Sequence, residues 1–263
     1  MGILGGALGY RLLRRLSPGQ TGNNDYTAYV GRSKMEVLFG GDVWNEFAGK
    51  VVLDFGCEGG LEAIEIAQHG AGKVIGLDLY EDTLVGARKR AVEAGVADRC
   101  VFTTQVTEKV DVIMTLDAFE HFNDPSHILR IMRSLLKDDG YILACFGPTW
   151  YHPLGGHGFS IFPWAHLVFT EKALMRWYGE FSPEGATRFS EVRGGLNQLT
   201  ISRFEKIVAD SDFEFADFSA VPIRKLRPLA NRLTREFTTA VVRCKLVPRQ
   251  NSTAPAKSPH LTR

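Results

Sequence analysis

The chain has 263 residues, 44% of them hydrophobic and 23% charged, with a formal net charge of +1. That length can bury the core of one α/β domain without disulfides, and so even a charge balance gives no case for nucleic acid as the main partner, which wants a basic patch against phosphate. Cys57, Cys100, Cys145 and Cys244 form no C-x-x-C pair, so neither a zinc site nor a thioredoxin-type motif is indicated, and a reducing, cytoplasmic compartment is the default.

The first residues, MGILGGALGYRLLRRLSPG, run from apolar to basic, the reverse of a secretory signal. Their apolar part is too short to span a bilayer, and Gly6 stands where a myristoylation signal wants Ser or Thr. Residues 1–25 are therefore expected to be flexible or loosely docked, with weak membrane-surface contact through Leu12, Leu13, Arg14 and Arg15 as the alternative. The Gly- and Asn-rich stretch 17–25 predicts a linker, and residues 26–248 the folded domain. Residues 26–47 predict one or two short helices. Residues 50–55, Lys-Val-Val-Leu-Asp-Phe, are a short apolar run ending in glycines, which predicts a buried parallel strand.

The pattern then alternates. Helices are predicted over 61–69, 81–94 and 126–137, the last opened by Asp124-Pro125. Strands are predicted over 73–79, 100–104, 110–116 and, after the turn Asp138-Asp139-Gly140, 141–146. Such alternation implies βαβ units: a Rossmann-like, mostly parallel sheet with helices on both faces. Residues 148–170 are rich in aromatics, Gly and His and lack a period; they predict a lid-like insert. Helices follow over 171–181 and 200–211. Strands are predicted over 213–221 and 237–247 with a short basic helix, 223–233, between them. The Pro-, Ser- and Lys-rich tail 249–263 is expected to be disordered.

The first strand runs into Asp54-Phe-Gly56-Cys57-Glu58-Gly59-Gly60, and the second ends in Gly76-Leu77-Asp78. Glycines at a strand-to-helix turn let a ligand approach the backbone, at the strand ends where open α/β sheets bind ligands. An acid about 20 residues further on can accept both ribose hydroxyls of an adenosine. A dinucleotide site wants glycine, aimed at pyrophosphate, where Asp54 stands. A carboxylate there repels phosphate and suits the cationic amino-acid end of S-adenosylmethionine.

Val52-Leu-Asp54-x-Gly56-Cys57-x-Gly59-Gly60 resembles motif I of the class I S-adenosylmethionine-dependent methyltransferases. Gly76-Leu77-Asp78 resembles their motif II, residues 111–121 their motif IV, and residues 135–142 the stretch entering their fifth strand. The resemblance covers residues 50–147 well and the two C-terminal strands loosely, and it implies seven strands with the last antiparallel. It also implies cofactor contacts from Asp54, Gly56, Cys57, Gly60 and Asp78, with Leu79 and Tyr80 against the adenine. Two positions depart from the family pattern. Glu58 stands where glycine is common and is expected to face solvent. Gln105 stands near where an acid usually meets the adenine amino group, and its amide oxygen is the available substitute. Related enzymes cover the methionine end with a segment like Tyr26, Tyr29 and Arg32, where Arg32 could pair with the carboxylate.

Asp117-Ala-Phe-Glu120-His121 follows the fourth strand, where the family places residues near the sulfonium. Methyl transfer mainly needs nucleophile and methyl held in line, with a base only for a hydroxyl or a protonated amine; His121 is the natural base. If the segment were helical, Asp117, Glu120 and His121 would share a face and could hold a divalent metal, an arrangement resembling the acid-x-x-Glu-His motif of ubiquinone-pathway O-methyltransferases. From the insert, His152, His157 and Trp164 are the candidate substrate contacts, and the loop 193–198 closes beside it. Together these readings predict methyl transfer to a small molecule, at a hydroxyl oxygen. A nucleoside-cofactor-binding protein without turnover is the alternative, and an NAD-dependent oxidoreductase a third.

Overall fold

The computed structural model describes residues 2–17, 29, 31–159, 162–182, 185–192 and 194–249. Short apolar runs, buried on both faces at the centre and more exposed at the edges, become the strands of a single seven-stranded sheet. These are β1 (Val51–Phe55), β2 (Lys73–Leu77), β3 (Cys100–Thr103), β4 (Val110–Leu116), β5 (Leu136–Phe146), β6 (Phe213–Pro222) and β7 (Thr239–Pro248). Their order is β3-β2-β1-β4-β5-β7-β6. All pairings are parallel except those of β7, which runs antiparallel to both β5 and β6, so the expected Rossmann-like sheet with its last strand reversed is present.

Helices α2 (Lys34–Phe39), α3 (Leu61–Gln68) and α4 (Glu81–Glu93) cover one face of the sheet. Helices α5 (Pro125–Leu135) and α8 (Ile201–Ala209) cover the other, around Phe119, Leu129, Met132, Phe146 and Phe204. The connection from β1 to β2 leads one way along the sheet and that from β4 to β5 the other. The strand order therefore reverses between β1 and β4, whose carboxyl ends form the switch point where such sheets bind ligands.

Three elements depart from the sequence-based expectation. β5 starts at Leu136 rather than 141: Leu136 pairs with Val110, and a register shift between Val110 and Val112 absorbs the expected turn as an irregularity inside the strand. The basic stretch after β6 is a 3-10 turn, Arg224–Leu229, instead of a helix to 233, because Pro228 lacks the N–H that a longer helix needs. The N-terminal segment, expected to be flexible or loosely docked, forms α1 (Gly6–Leu16) and is seated: Leu13 is fully buried, Leu4 bridges Phe169, and the Trp177 indole donates to Ser17 O at 3.0 Å. The burial of Gly9 and Leu13, one helical turn apart, supplies its inner face. Tyr26 and most of the linker lie outside the described residues, as do 250–263. Among the described residues no helix is long and apolar enough to cross a membrane.

The insert 148–170 builds a third core with α1 and α7 (Glu171–Tyr178), around Phe159, Phe169, Leu174, Trp177 and Phe189. It carries α6 (Ala165–Val168) and sits as a packed cap. His166 is buried in it and donates its Nε2–H to Trp150 O at 2.5 Å. Burial, with His157 adding and the Trp150 carbonyl opposing, pulls its pKa down from 6.5 to about 4. The unfolded chain takes up this proton below 6.5 while the native cap refuses it down to about 4. The contribution is therefore intact above the unfolded value and is lost as pH falls. His166→Gln, which keeps a donor for Trp150 O, should flatten the acid limb of unfolding free energy by about 1.4 kcal/mol per pH unit in that window. Denaturant titrations at stepped pH measure this; parallel limbs for variant and wild type would refute it.

Candidate active site

The turn leaving β1 is fixed by its own backbone. Gly56 and Cys57 both donate to Leu77 O, at 2.8 and 3.0 Å, and Gly60 donates back to Cys57 O at 2.7 Å. Gly56 has φ +85°, and a Cβ there would meet Ala118 Cβ at 3.4 Å. Gly60 has φ +73°, and a Cβ there would fall 2.5 Å from the Phe102 ring. Both positions therefore need glycine for conformation, and Gly60 for space as well. Glu58 has φ +42° with its side chain exposed. A residue with a Cβ occupies a left-handed position that glycine fills elsewhere, and it faces solvent as expected.

Asp78, just past β2, accepts from Glu58 N (2.9 Å) through Oδ2 and from Tyr80 N (3.0 Å) through Oδ1. Two backbone donors thus orient the carboxylate, and each oxygen keeps a lone pair for a ligand hydroxyl. Leu79 beside it is 85% exposed, an apolar surface next to the acid. Gln105 is exposed two residues beyond β3, whose Thr103 O accepts from Asp78 N at 3.3 Å.

Among the described residues, Asp54 is one of two buried acids here with an unpartnered oxygen, the other being Glu120. In Asp54 that oxygen is Oδ2. Burial, together with the charges of Glu62 and Asp78, pushes its carboxyl well above the usual range against the pull of Lys34. A buried acceptor left unmatched costs free energy unless a ligand donates to it. An ammonium group meets that need by charge and by donor count. The group at this end of the sheet is therefore suited to S-adenosylmethionine: a buried carboxylate with an unmatched oxygen, a turn that needs glycine at positions 56 and 60, and an acid with paired acceptors.

Among the described residues, Lys34 is the cation that pairs with the acids at this end. Arg32 lies in the exposed turn before α2. Lys34, the first residue of α2, reaches Asp117 Oδ2 at 2.8 Å and Glu62 Oε1 at 3.5 Å. Burial pulls its pKa down, but Asp117 and Glu62 more than offset this and hold it above the usual lysine range. Burial also raises the Asp117 carboxyl, with Lys34 opposing and Glu120 and Glu62 adding.

The 117–121 segment is a turn, with Asp117 at φ +47°, so the helical face that would have grouped Asp117 with Glu120 and His121 does not form. Asp117 N donates to Cys145 O and its carboxylate is spent on Lys34. The structure instead groups Glu120 and His121 with His157 of the insert, each offering a ligand atom within 4.8 Å of the others. Glu120 is buried; Oε1 accepts from Gly147 N at 2.8 Å and lies 3.9 Å from His157 Nε2, while Oε2 has no partner.

His121 Nδ1 lies 2.7 Å from Gly195 O. A carbonyl can only accept, so Nδ1 carries the proton and Nε2 keeps its lone pair. Asn197, which the sequence flagged only as part of a closing loop, pins this turn. Its Nδ2 donates to Phe119 O (2.6 Å) and Phe122 O (2.7 Å), and its N–H to Glu120 O (3.0 Å). Arg193 of the same loop lies outside the described residues. The other two insert candidates are occupied within the cap: His152 Nδ1 accepts from Leu154 N, and the Trp164 indole donates to Tyr151 O. Burial, with His157 and His166 adding, lowers His152 to about 4.

Residues 33–214 match the family model described as a methyltransferase domain. A ubiquinone biosynthesis O-methyltransferase of Neisseria meningitidis is 36% identical over 104 residues, which are 37% of this chain and 44% of that protein. Its namesake in Pseudomonas aeruginosa is 39% identical over 101 residues, 36% of this chain and 43% of that protein. The alignments thus span less than half the length of these relatives. Among solved structures, magnesium protoporphyrin IX methyltransferase of Synechocystis PCC 6803 with bound S-adenosylhomocysteine superposes with a TM-score of 0.51 at 19% identity, covering 92% of this chain and 95% of that one. An S-adenosylmethionine-dependent methyltransferase of Mesorhizobium loti gives 0.51 at 16%, covering 78% and 93%. At such identities these two likenesses speak for the fold alone.

Proposed function

Because this chain belongs to the class I S-adenosylmethionine-dependent methyltransferases, we propose that it methylates a hydroxyl oxygen of a small molecule, with His121 as the base. S-adenosylmethionine supplies the methyl group. Asp54 would hold its ammonium, Asp78 its ribose hydroxyls, Leu79 and Gln105 its adenine, and the turn through Gly56, Cys57 and Gly60 the backbone approach. The observation that carries the oxygen assignment is the His121 tautomer fixed by Gly195 O at 2.7 Å. An imidazole with its distal lone pair available can take a hydroxyl proton as the nucleophile is aligned. The O-methyltransferase names of the partial relatives support the same target. The aromatic cap suits an apolar or aromatic acceptor.

A second reading rests on one specific contact. His157 Nδ1 faces Gly155 O, which leaves an Nε2 lone pair opposite Glu120 Oε1 at 3.9 Å. A divalent metal held by His121, His157 and Glu120 would join these two acceptors. Two imidazoles and a carboxylate are a common donor set for zinc or iron, and a metal would lower the pKa of a bound hydroxyl.

One assay separates these. The chain is incubated with methyl-labelled S-adenosylmethionine and a panel of catechols and phenols, with and without EDTA, and the products are identified by NMR. The base reading expects methyl ethers formed equally with EDTA. The metal reading expects EDTA to abolish turnover, Mg²⁺ or Zn²⁺ to restore it, and Glu120→Gln and His157→Gln to damage it as much as His121→Ala. Products methylated only at carbon or nitrogen would refute the oxygen assignment.

A further inference from the structure

We propose that the connection between β6 and β7 is a docking surface for an anionic lipid bilayer. Residues 223–238 hold five cations, Arg224, Lys225, Arg227, Arg232 and Arg235, against one acid, Glu236, in a chain whose net charge is only +1. Arg235 and Glu236 turn inward. Arg235 pairs with Glu205, and Glu236 accepts from Ile201 N and Ser202 N at the start of α8. Arg224, Lys225, Arg227 and Arg232 are all exposed.

Apolar side chains are set among them. Leu233 is 92% exposed and Leu229 62%, and Phe237 is also exposed. No residue of the 3-10 turn Arg224–Leu229 is buried. These leucines are held outward by a bonded turn. Asn231 Oδ1 accepts from Leu233 N (2.9 Å) and Thr234 N (3.2 Å), while Thr234 Oγ1 donates to Leu229 O (2.6 Å) and accepts from Asn231 N (3.0 Å). The stapling of Glu236 to α8 anchors the same turn from behind.

Apolar tips held into solvent between cations match the two layers of an interface, with acyl chains for Leu229 and Leu233 and anionic headgroups for the arginines. A nucleic-acid site would call for free aromatic faces or backbone donors; here the most exposed tips are leucines and the one exposed ring, Phe237, packs against Tyr151. The Phe237 ring lies 5.1 Å from that of Tyr151, where the cap begins, so docking here would bring the cap-bearing side of the molecule to the lipid.

Vesicle flotation of the full chain tests this, with phosphatidylcholine alone and with added phosphatidylglycerol. The proposal expects co-flotation only with phosphatidylglycerol, weakened by salt. Leu229→Ser with Leu233→Ser should reduce binding ~10-fold or more, and Arg227→Gln with Arg232→Gln should do so ~5-fold per cation removed. Neither pair touches a buried group, so unfolding temperature and S-adenosylhomocysteine affinity should match wild type. Leu8→Ser with Leu12→Ser on the outer face of α1 is the comparison for a different contact surface. Vesicle binding that survives both loop variants would overturn the proposal, whatever the α1 variant does. So would loop-dependent binding to an oligonucleotide, or loop-dependent self-association, with no flotation.

Discussion

His121→Ala should lower the methyl-transfer rate by about 100- to 10,000-fold, the usual worth of a positioned base, while leaving S-adenosylhomocysteine affinity unchanged. The side chain stands past the end of β4 with Nδ1 committed to Gly195 O, so its removal takes away the lone pair at Nε2 without touching Asp54 or Asp78. Its backbone N–H bonds to Ala118 O and the neighbouring turn is pinned by Asn197, so the loop has reason to survive the change. Full activity in the variant with the true acceptor would show that the Glu120–His121–His157 group is structural and that alignment alone drives the reaction.

Asp54→Asn should weaken cofactor affinity by about 1.5–3 kcal/mol, the worth of a hydrogen bond to a charged group, or roughly 10- to 150-fold. It should do so without lowering the thermal unfolding midpoint, because the wild-type carboxylate sits buried with an unpartnered Oδ2. The proton balance gives a second signature. With its pKa raised by burial, the carboxyl tends to hold a proton until an ammonium arrives, so binding should release that proton and affinity should rise with pH through the raised pKa. Calorimetry in buffers of different ionisation enthalpy reads the release. The Asn variant should show none, and equal affinity and proton release in variant and wild type would remove Asp54 from the site.

What could be read from the sequence was what local rules control. Asp54, Gly56, Gly60 and Asp78 were legible because a short apolar strand, a glycine turn and an acid at the next strand end are each encoded within a few residues. The order of strands and helices followed from the same alternation. Lys34 was not legible, since its place beside Asp117 and Glu62 depends on where α2 lands, and Arg32 two residues earlier carried the same charge. His157 was singled out only as a possible substrate contact, because its approach to Glu120 requires the cap to fold back over the β4 turn. Asp117 was grouped with Glu120 and His121 on the assumption of helix. Its left-handed backbone and its ion pair with Lys34 decided otherwise. The docking of α1 was hidden for a similar reason: Gly9 and Leu13 form a face only once Phe169 and Trp177 are present to receive it.

S-adenosylmethionine should be held at the carboxyl ends of β1 and β2 through Asp54 and Asp78. Titration calorimetry of the full chain with S-adenosylhomocysteine, and separately with NAD, measures it most directly. One S-adenosylhomocysteine should bind per chain, with most of the affinity lost in Asp78→Ala and no saturable heat with NAD. Saturable NAD binding, or S-adenosylhomocysteine binding that Asp78→Ala leaves unchanged in a folded protein, would contradict it.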